Sequence, residues 1–240
     1  MCFHNSMNKR LKQLVERYGR KTDIVETYKD ILEKKYHVTA FTNPDYPIIT
    51  KEEEIQDFKW GLIPFWTKDM EKAKEIRKKT YNARAETVFD LPSYRMPIRK
   101  QRCIIPSTGY FEWRHEKGNK IPYFIYVKDQ PVFSMGGMYD YWINPETGEE
   151  ISTFSMITTE ANELTGYIHN GGNNPHRMPL ILSPENEEKW LSDKLSPEDI
   201  KSLLKPFIAD KMDAYIVDKN FIKKNPEDKD IIEPANENSN

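Results

Sequence analysis

Five consecutive strand-like segments in the middle of the chain constrain its fold more than any other feature. Each is an apolar or alternating run bounded by turn-forming residues, which is typical of β-strands. No helical pattern separates one run from the next, so an antiparallel meander is favoured over alternating βαβ units. The runs are RCIIP (102–106), GYFEWR (109–114), PYFIYV (122–127), VFSMGGMYDYW (132–142) and EISTFSMIT (150–158).

Helical and strand-like patterns flank this region on both sides. Ser6 is a plausible N-cap for a helix that stops at Gly19, Thr67 for a charged helix that runs to about Lys79, and a second helical pattern covers residues 24–32. Ser183 and Ser196, each followed by proline, predict two short helices. Further short strands are predicted in MCFHN (1–5), YHVTAF (36–41), PIIT (47–50), MPLIL (178–182) and DAYIV (213–217), and FKWGLIPFW (58–66) predicts a strand that leads into a tight loop.

The length of 240 residues allows one large domain or two small ones, and the pattern favours one. We predict a domain over residues 1–222. Residues 162–175, which contain GGNNP, predict a mobile loop. Residues 223–240 are polar and without period, which predicts a loosely attached tail.

Charge and cysteine usage exclude several classes of protein. The formal net charge is −2, so no global basic field indicates a nucleic-acid partner, although residues 68–84 and 95–102 are locally basic. Two cysteines fit neither a disulfide framework nor a tetrahedral metal site, and the five histidines show no metal-binding spacing. Without a membrane-length apolar run or an N-terminal leader pattern, we expect a cytoplasmic protein with no metal and no cofactor.

The first two residues, Met1-Cys2, carry a possible nucleophile. Removal of the initiator methionine would expose a 1,2-aminothiol at Cys2. An α-amine titrates at about 7.7–8 and a free thiol at about 8.5, so both are usable near neutral pH. Towards an aldehyde, the amine forms an imine and the thiol closes a thiazolidine ring. The alternative is that Cys2 is simply a small buried hydrophobe in a strand.

Five polar residues are further candidates for chemistry. Glu112 shares one face of its predicted strand with Tyr110, and a carboxyl in a cleft there would suit general acid–base work. Asn82 and Arg84 share a face if their segment is extended. Two histidines, His169 and His176, compete as proton carriers near neutral pH. Each of these residues also has a structural reading, as an exposed glutamate, a turn-forming asparagine, a solvated arginine or a loop histidine.

Five motifs in order resemble the SOS response-associated peptidase (SRAP) family, whose members cap abasic sites in single-stranded DNA. The resemblance covers residues 1–220 and implies an α+β fold: a single domain with a strongly curved antiparallel sheet that closes into a barrel-like core, with peripheral helices. The motifs are Met1-Cys2, WGLIPFW (60–66), YNARAET (81–87), GYFEWR (109–114) and HRMPLIL (176–182).

In that family the exposed cysteine forms a thiazolidine with the open-ring aldehyde of an abasic deoxyribose. The resemblance implies that Cys2 is the crosslinking nucleophile and that Asn82 lies beside it. It also implies that Glu112 assists ring closure and reversal, and that His169, which follows an isoleucine as the family histidine does, assists sugar opening. Because the crosslink consumes the protein unless it reverses, this is an enzyme in a qualified, lyase-like sense.

The resemblance also implies the DNA contacts. Arg84 matches an arginine that binds phosphate, and Trp66 matches an aromatic that borders the displaced bases. Most members begin Cys-Gly-Arg, whereas this chain reads Cys2-Phe3-His4, so His4 would have to replace the arginine.

An insertion lies between the family histidine and the Arg-Met-Pro motif. Residues 171–175 separate His169 from Arg177, and His176 lies directly before the motif. We favour His169 as the catalytic histidine and expect His176 and Arg177 to contact DNA.

The implied partner is single-stranded DNA with abasic sites, including single-strand to double-strand junctions, bound by a monomer. Two alternatives remain. A cysteine peptidase would use the Cys2 thiolate with His169 and Asn82 against a peptide carbonyl. A non-covalent single-stranded DNA-binding module would leave Cys2 incidental.

Overall fold

The fold of this chain is α+β, as the sequence predicts. The computed structural model describes residues 2–9, 11–21 and 35–235, and within these ranges it contains thirteen strands and six α-helices. The strands are β1 (His4–Met7), β2 (Lys35–Thr39), β3 (Asp45–Ile48), β4 (Gln56–Trp60), β5 (Asn82–Arg84), β6 (Arg102–Ser107), β7 (Gly109–Glu116), β8 (Asn119–Val127), β9 (Phe133–Ile143), β10 (Glu150–Glu160), β11 (Arg177–Pro179), β12 (Ile181–Leu182) and β13 (Met212–Ile216). The helices are α1 (Leu11–Tyr18), α2 (Met70–Arg77), α3 (Pro97–Lys100), α4 (Glu163–Ile168), α5 (Pro184–Leu191) and α6 (Pro197–Leu203).

The described strands form two open sheets rather than one sheet closed into a barrel. The five-stranded sheet has the order β13-β8-β7-β1-β2. The eight-stranded sheet follows the path β12-β9-β10-β4-β3, with β5 and β11 on β10 and β6 on β9. Its pairing is mixed, because β10 runs parallel to both β4 and β5. The expected barrel closure and the purely antiparallel pairing are therefore corrected.

All five central strands form, but they do not pair as a simple meander. Strand β6 pairs with β9, while β7 pairs with β1 and β8, so the chain changes sheets between β6 and β7. The change takes place at Thr108-Gly109. A Cβ atom on Gly109 would collide with the ring of Phe124, so glycine allows β7 and β8 to approach.

Helix boundaries differ from the sequence prediction at three places. Ser6 pairs with Gly109 in the sheet, so it cannot cap α1, which begins at Leu11. The N-cap of α2 is Asp69 and not Thr67, because the Asp69 carboxylate accepts the backbone N–H of Lys72 at 2.7 Å. The predicted loop over residues 162–175 contains α4.

Other helix predictions are confirmed or fall outside the described ranges. Ser183 and Ser196 are the N-caps of α5 and α6, each with proline in the first turn, as predicted. The helical pattern at residues 24–32 lies outside the described residues. None of the helices in the ranges given above is long and apolar enough to cross a membrane.

The segment after residue 222 is packed onto the five-stranded sheet as far as Ala235. Ile231 is fully buried in a cluster with Phe111 and Phe221. The Ala235 N–H donates to the Ile216 carbonyl at 2.8 Å, and the Tyr215 hydroxyl donates to a carbonyl of the same segment. The expectation of loose attachment is wrong for residues 223–235, because one buried isoleucine anchors a segment whose composition is otherwise polar.

Candidate functional site

Cys2 precedes strand β1, which is paired with strand β7. Asn5 and Ser6 pair with Tyr110 and Gly109, so the chain before β1 runs along the second half of β7. Cys2 lies two residues before β1 and is 1% exposed. Its Sγ–H donates to the His4 carbonyl at 3.7 Å. The N-terminal segment is therefore inserted into the protein rather than extended into solvent.

Glu112 and His169 form a buried carboxylate–imidazole pair. Glu112 lies on β7 with 6% of its surface exposed, and its Oε2 is 3.9 Å from Nε2 of His169. His169 is the C-cap of α4, a helix that begins where the Asn162 side chain accepts the Thr165 N–H at 2.9 Å. The Nδ1 atom of His169 lies 3.0 Å from the Arg177 carbonyl oxygen, which turns Nε2 towards Glu112.

The other candidate histidine lies outside this pair. His176 is exposed, and its backbone N–H donates to the His169 carbonyl at 2.7 Å. This hydrogen bond joins the end of the inserted loop to the C-terminal end of α4. The insertion thus leaves His169 beside Glu112. This geometry supports our preference for His169 as the proton carrier.

Burial keeps both Cys2 and His169 in their neutral forms near neutral pH. Desolvation, and next the negative charge of Glu112, raises the pKa of the Cys2 thiol. Desolvation also lowers the pKa of His169, while the Glu112 carboxylate acts in the opposite direction. The site therefore holds a thiol rather than a thiolate, and an imidazole rather than an imidazolium.

Asn82 brings an amide without hydrogen-bond partners to this region. It lies on β5 opposite Met156 of β10, is 8% exposed, and neither its Nδ2 nor its Oδ1 has a partner within the described residues. The ring of Tyr81 packs edge-on against that of Phe3 at 6.2 Å, so the residues next to Asn82 and Cys2 are in contact. A buried amide with all its hydrogen-bonding capacity unused is suited to a ligand.

Two of the predicted DNA-contacting residues are accessible. The Arg84 side chain is 51% exposed, with Nε 3.7 Å from Glu86. Trp66 is 45% exposed, in the loop that follows β4. That loop is held by side chains of β9, since Asp140 accepts the N–H of Phe65 at 2.9 Å and Trp142 donates to the Thr67 carbonyl at 2.7 Å.

Arg177 is committed to the protein itself. It is buried, and its guanidinium donates to both carboxylate oxygens of Glu86, at 2.6 and 3.0 Å, and to the Thr158 carbonyl at 2.6 Å. Arg102, from the locally basic segment, is likewise buried and donates to the carbonyls of Trp190, Ile98 and Arg99. Neither guanidinium is presented to a phosphate in this arrangement.

His4 is buried against His37, and its lowered pKa keeps the ring uncharged near neutral pH. Nδ1 of His4 and Nε2 of His37 are 2.8 Å apart, so one ring donates to the other. Burial lowers the pKa of His4 to about 3, with a further contribution from His37, and burial lowers the pKa of His37 to about 4. His4 therefore ties β1 to β2, and the structure gives no support to it as a substitute for arginine.

This histidine pair predicts a loss of stability in mild acid. An unfolded histidine titrates near 6.5, so between that pH and about 4 the unfolded chain binds protons that the folded chain excludes. The free energy of unfolding has its full value above about pH 6.5 and falls as the pH drops towards 4, by about 1 kcal/mol per pH unit for each histidine.

Urea denaturation at pH 7 and pH 5 measures this change. The free energy of unfolding should decrease less between the two pH values for His37→Gln than for the wild type. The control, exposed His176→Gln, should lose as much as the wild type, and equal losses in all three proteins would contradict the assignment.

Two residues that contact or neighbour the candidate side chains were not named as candidates from the sequence. Tyr110 shares the face of β7 with Glu112, a pattern visible in GYFEWR, but only the carboxyl was singled out as a candidate. Glu86 accepts hydrogen bonds from Arg177. It lies within the YNARAET motif, but nothing in the sequence indicates that Arg177 is its partner. In the portion of the chain that the structure describes, no group of three or more His, Cys, Asp or Glu side chains could hold a metal ion.

The fold and the site together define an α+β protein in which a buried cysteine precedes the first strand and lies near a buried carboxylate–imidazole pair. The model of the SOS response associated peptidase (SRAP) family matches residues 1–224. The chain belongs to this family, which confirms the resemblance seen in the five motifs.

Named relatives share much of the chain. The abasic site processing protein YoqW of Bacillus subtilis (strain 168) is 38% identical over 205 residues, an alignment covering 81% of this chain and 87% of that protein. The abasic site processing protein YMR114C of Saccharomyces cerevisiae is 33% identical over 212 residues, covering 86% and 54%. A crystal structure of a protein from Bacteroides thetaiotaomicron has a TM-score of 0.95 and 59% identity, covering 98% of this chain and 100% of that one.

Proposed function

We propose that this protein, once Met1 is removed, captures abasic sites in single-stranded DNA as a covalent thiazolidine on Cys2 and so shields the lesion during the DNA damage response. The observation that carries the proposal is the location of Cys2, which precedes the strand paired with β7 and interacts electrostatically with Glu112. Oε2 of Glu112 is in turn 3.9 Å from Nε2 of His169. The relatives named above are abasic site processing proteins, and membership of the same family supports the same substrate class.

His169 is suited to opening the abasic sugar. Such a sugar is mostly a closed hemiacetal, so release of the aldehyde requires removal of the C1 hydroxyl proton and protonation of the ring oxygen. His169 can accept this proton because its lowered pKa keeps the ring neutral. The carboxylate of Glu112, 3.9 Å away, stabilises the imidazolium that results.

Glu112 is suited to the two bond-forming steps that follow. The amine of processed Cys2 attacks C1, the N–C1 bond forms, the C1–O bond breaks, and the oxygen leaves as water after gaining a proton. The thiol then adds to the imine, so that an S–C1 bond forms and the nitrogen takes up the thiol proton. A carboxyl that accepts and returns protons serves both steps.

The electrostatics favour this reaction over a thiol peptidase. A peptidase attacks a carbonyl as a thiolate, which requires a lowered thiol pKa and commonly an imidazolium partner. In this site the pKa of Cys2 is raised, and Nε2 of His169 faces Glu112. Addition to an imine can begin from a neutral thiol, which brings its own proton.

The proposal is tested with protein purified from cells and a single-stranded oligonucleotide that carries one abasic site. We expect a protein–DNA species on a denaturing gel with this strand and none with the same strand carrying an intact base. A non-covalent binding module would bind both strands on a native gel and leave no denaturation-resistant species, and that result would reject the proposal.

Arg84 should contribute a phosphate contact to DNA binding. Its side chain is 51% exposed, and its separation from Glu86 is 3.7 Å, while Glu86 is already engaged by Arg177. Arg84→Ala should weaken binding to single strands of any sequence and reduce the slope of log K against log salt by about one unit. Fluorescence anisotropy across a salt series measures this slope. Lys51→Ala, which removes a surface cation paired with Asp193 at 3.3 Å, is the matched control, and equal slopes for both variants would remove Arg84 from the interface.

A further inference from the structure

The hydroxyl group of Tyr110 is buried, and no described residue forms a hydrogen bond with it. Tyr110 is 0% exposed, and its hydroxyl oxygen has no hydrogen-bond partner among the residues that the structure describes. A buried hydroxyl without a hydrogen-bond partner lowers the free energy of unfolding. Packing of the chain alone therefore does not explain why this position has a tyrosine and not a phenylalanine.

Tyr46 shows what a buried hydroxyl in a purely structural role looks like in this protein. Its oxygen accepts from Nδ2 of Asn5 at 2.6 Å and donates to the Pro106 carbonyl at 2.6 Å. Tyr46 is as deeply buried as Tyr110, yet its hydroxyl is fully satisfied. The two tyrosines therefore differ in hydrogen bonding and not in burial.

Tyr110 is positioned among the reacting groups. Strand alternation puts it on the same face of β7 as Glu112, and its pairing with Asn5 puts it three residues from Cys2 along the adjacent strand. Burial first, and then Cys2 and Glu112, raises the pKa of the phenol, so the group remains an O–H donor at every working pH.

The amide of Asn82 supplies an independent indication of a ligand. Its nitrogen and oxygen are also buried and without hydrogen-bond partners among the described residues. Tyr110 offers a donor, and Asn82 offers donors and an acceptor. An opened deoxyribose carries hydroxyl and carbonyl oxygens that complement such a set.

We propose that Tyr110 is a further catalytic residue, whose O–H donates a hydrogen bond to the oxygen on C1 of the opened sugar. This inference rests on the proposed function. The bond forms to the aldehyde oxygen while the Cys2 amine attacks, and it persists to the hydroxyl of the resulting carbinolamine. The C1–O bond then breaks, the nitrogen lone pair forms the C=N bond, and the oxygen leaves as water with a proton delivered through Glu112. Tyr110 keeps its own proton and stabilises the charge that develops on the departing oxygen.

The test is Tyr110→Phe, which removes one oxygen atom and retains the packed ring. At saturating abasic DNA, the rate of forming the denaturation-resistant adduct should fall by about 10²-fold, the loss typical for one such donor. Thermal stability should stay the same or rise, because an unsatisfied hydroxyl is removed. Affinity for an intact single strand should be unchanged.

The matched control is Tyr46→Phe. It should lower thermal stability, since it leaves Asn5 and the Pro106 carbonyl without their partner, and it should leave the adduct rate at saturating DNA within about twofold of wild type. A wild-type rate for Tyr110→Phe, or a loss of stability as large as that of Tyr46→Phe, would overturn the proposal.

A second measurement identifies the reaction step at which Tyr110 acts. In a Cys2→Ala background the N-terminal amine can form an imine that borohydride traps, and adding Tyr110→Phe should lower the initial rate of trapping by the same factor. A normal trapping rate would place the effect after imine formation and overturn the assignment. If wild-type protein forms no adduct at all, the proposed function fails; if wild type reacts and Tyr110→Phe matches it, this inference alone fails.

Discussion

Cys2→Ala should reduce the denaturation-resistant adduct with abasic DNA to background. The variant keeps a small second residue, so Met1 is still removed and an N-terminal amine is still exposed. Without the sulfur, the reaction stops at an imine, which hydrolyses or eliminates to a cut strand unless borohydride reduces it. A time course on denaturing gels, with and without borohydride, measures both species.

Cys103→Ala is the matched control for this variant. Cys103 is the second cysteine of the chain, is also buried, and pairs with Gly137 in the eight-stranded sheet. Its loss should leave adduct formation intact. A stable adduct from Cys2→Ala without reductant would exclude the thiazolidine, and equal losses in both variants would point to general destabilisation.

His169→Ala should slow adduct formation by about 10²-fold at saturating DNA, the low end for a positioned acid–base group. The expected cause is the loss of the imidazole that faces Glu112 at 3.9 Å. His176→Ala should change affinity and leave the saturated rate near that of wild type, because His176 is exposed and lies outside that pair. Single-turnover kinetics over a range of protein concentrations separate the two effects. A slower saturated rate for His176→Ala than for His169→Ala would reverse the assignment across the insertion.

Local pattern was a good guide to which segments become strands. The runs between residues 102 and 158 alternate or are continuously apolar, and each of them forms a strand. Their partners were not predictable from this pattern, since β6 pairs with β9 whereas β7 pairs with β1 and β8. Periodicity describes the faces of a strand, whereas pairing depends on contacts that are distant in sequence.

The site was predictable where its chemistry lies in a short motif. Cys2, Glu112 and His169 were named from sequence, and the structure brings Glu112 and His169 together with Cys2 buried nearby. Helix α4 was missed because glycine and asparagine residues follow it, although the Asn162 cap was present in the sequence. That helix end is what directs His169 towards Glu112.

The expected DNA contacts of His4 and Arg177 stay predictions, and both residues have a partner far away along the chain. His4 forms a hydrogen bond with His37, which lies 33 positions later. Arg177 was expected at the DNA surface, yet its guanidinium is held by Glu86, 91 positions away. Residue type alone did not indicate that these groups are buried and paired.

The most direct test of the central claim is the intact mass of the protein before and after incubation with abasic single-stranded DNA. Before incubation, we expect a mass that lacks Met1. After incubation, we expect one new species whose mass is the sum of the processed protein and the oligonucleotide minus one water, stable without reductant. Active protein that retains Met1, or a complex that separates into its two components under denaturing conditions, would contradict it.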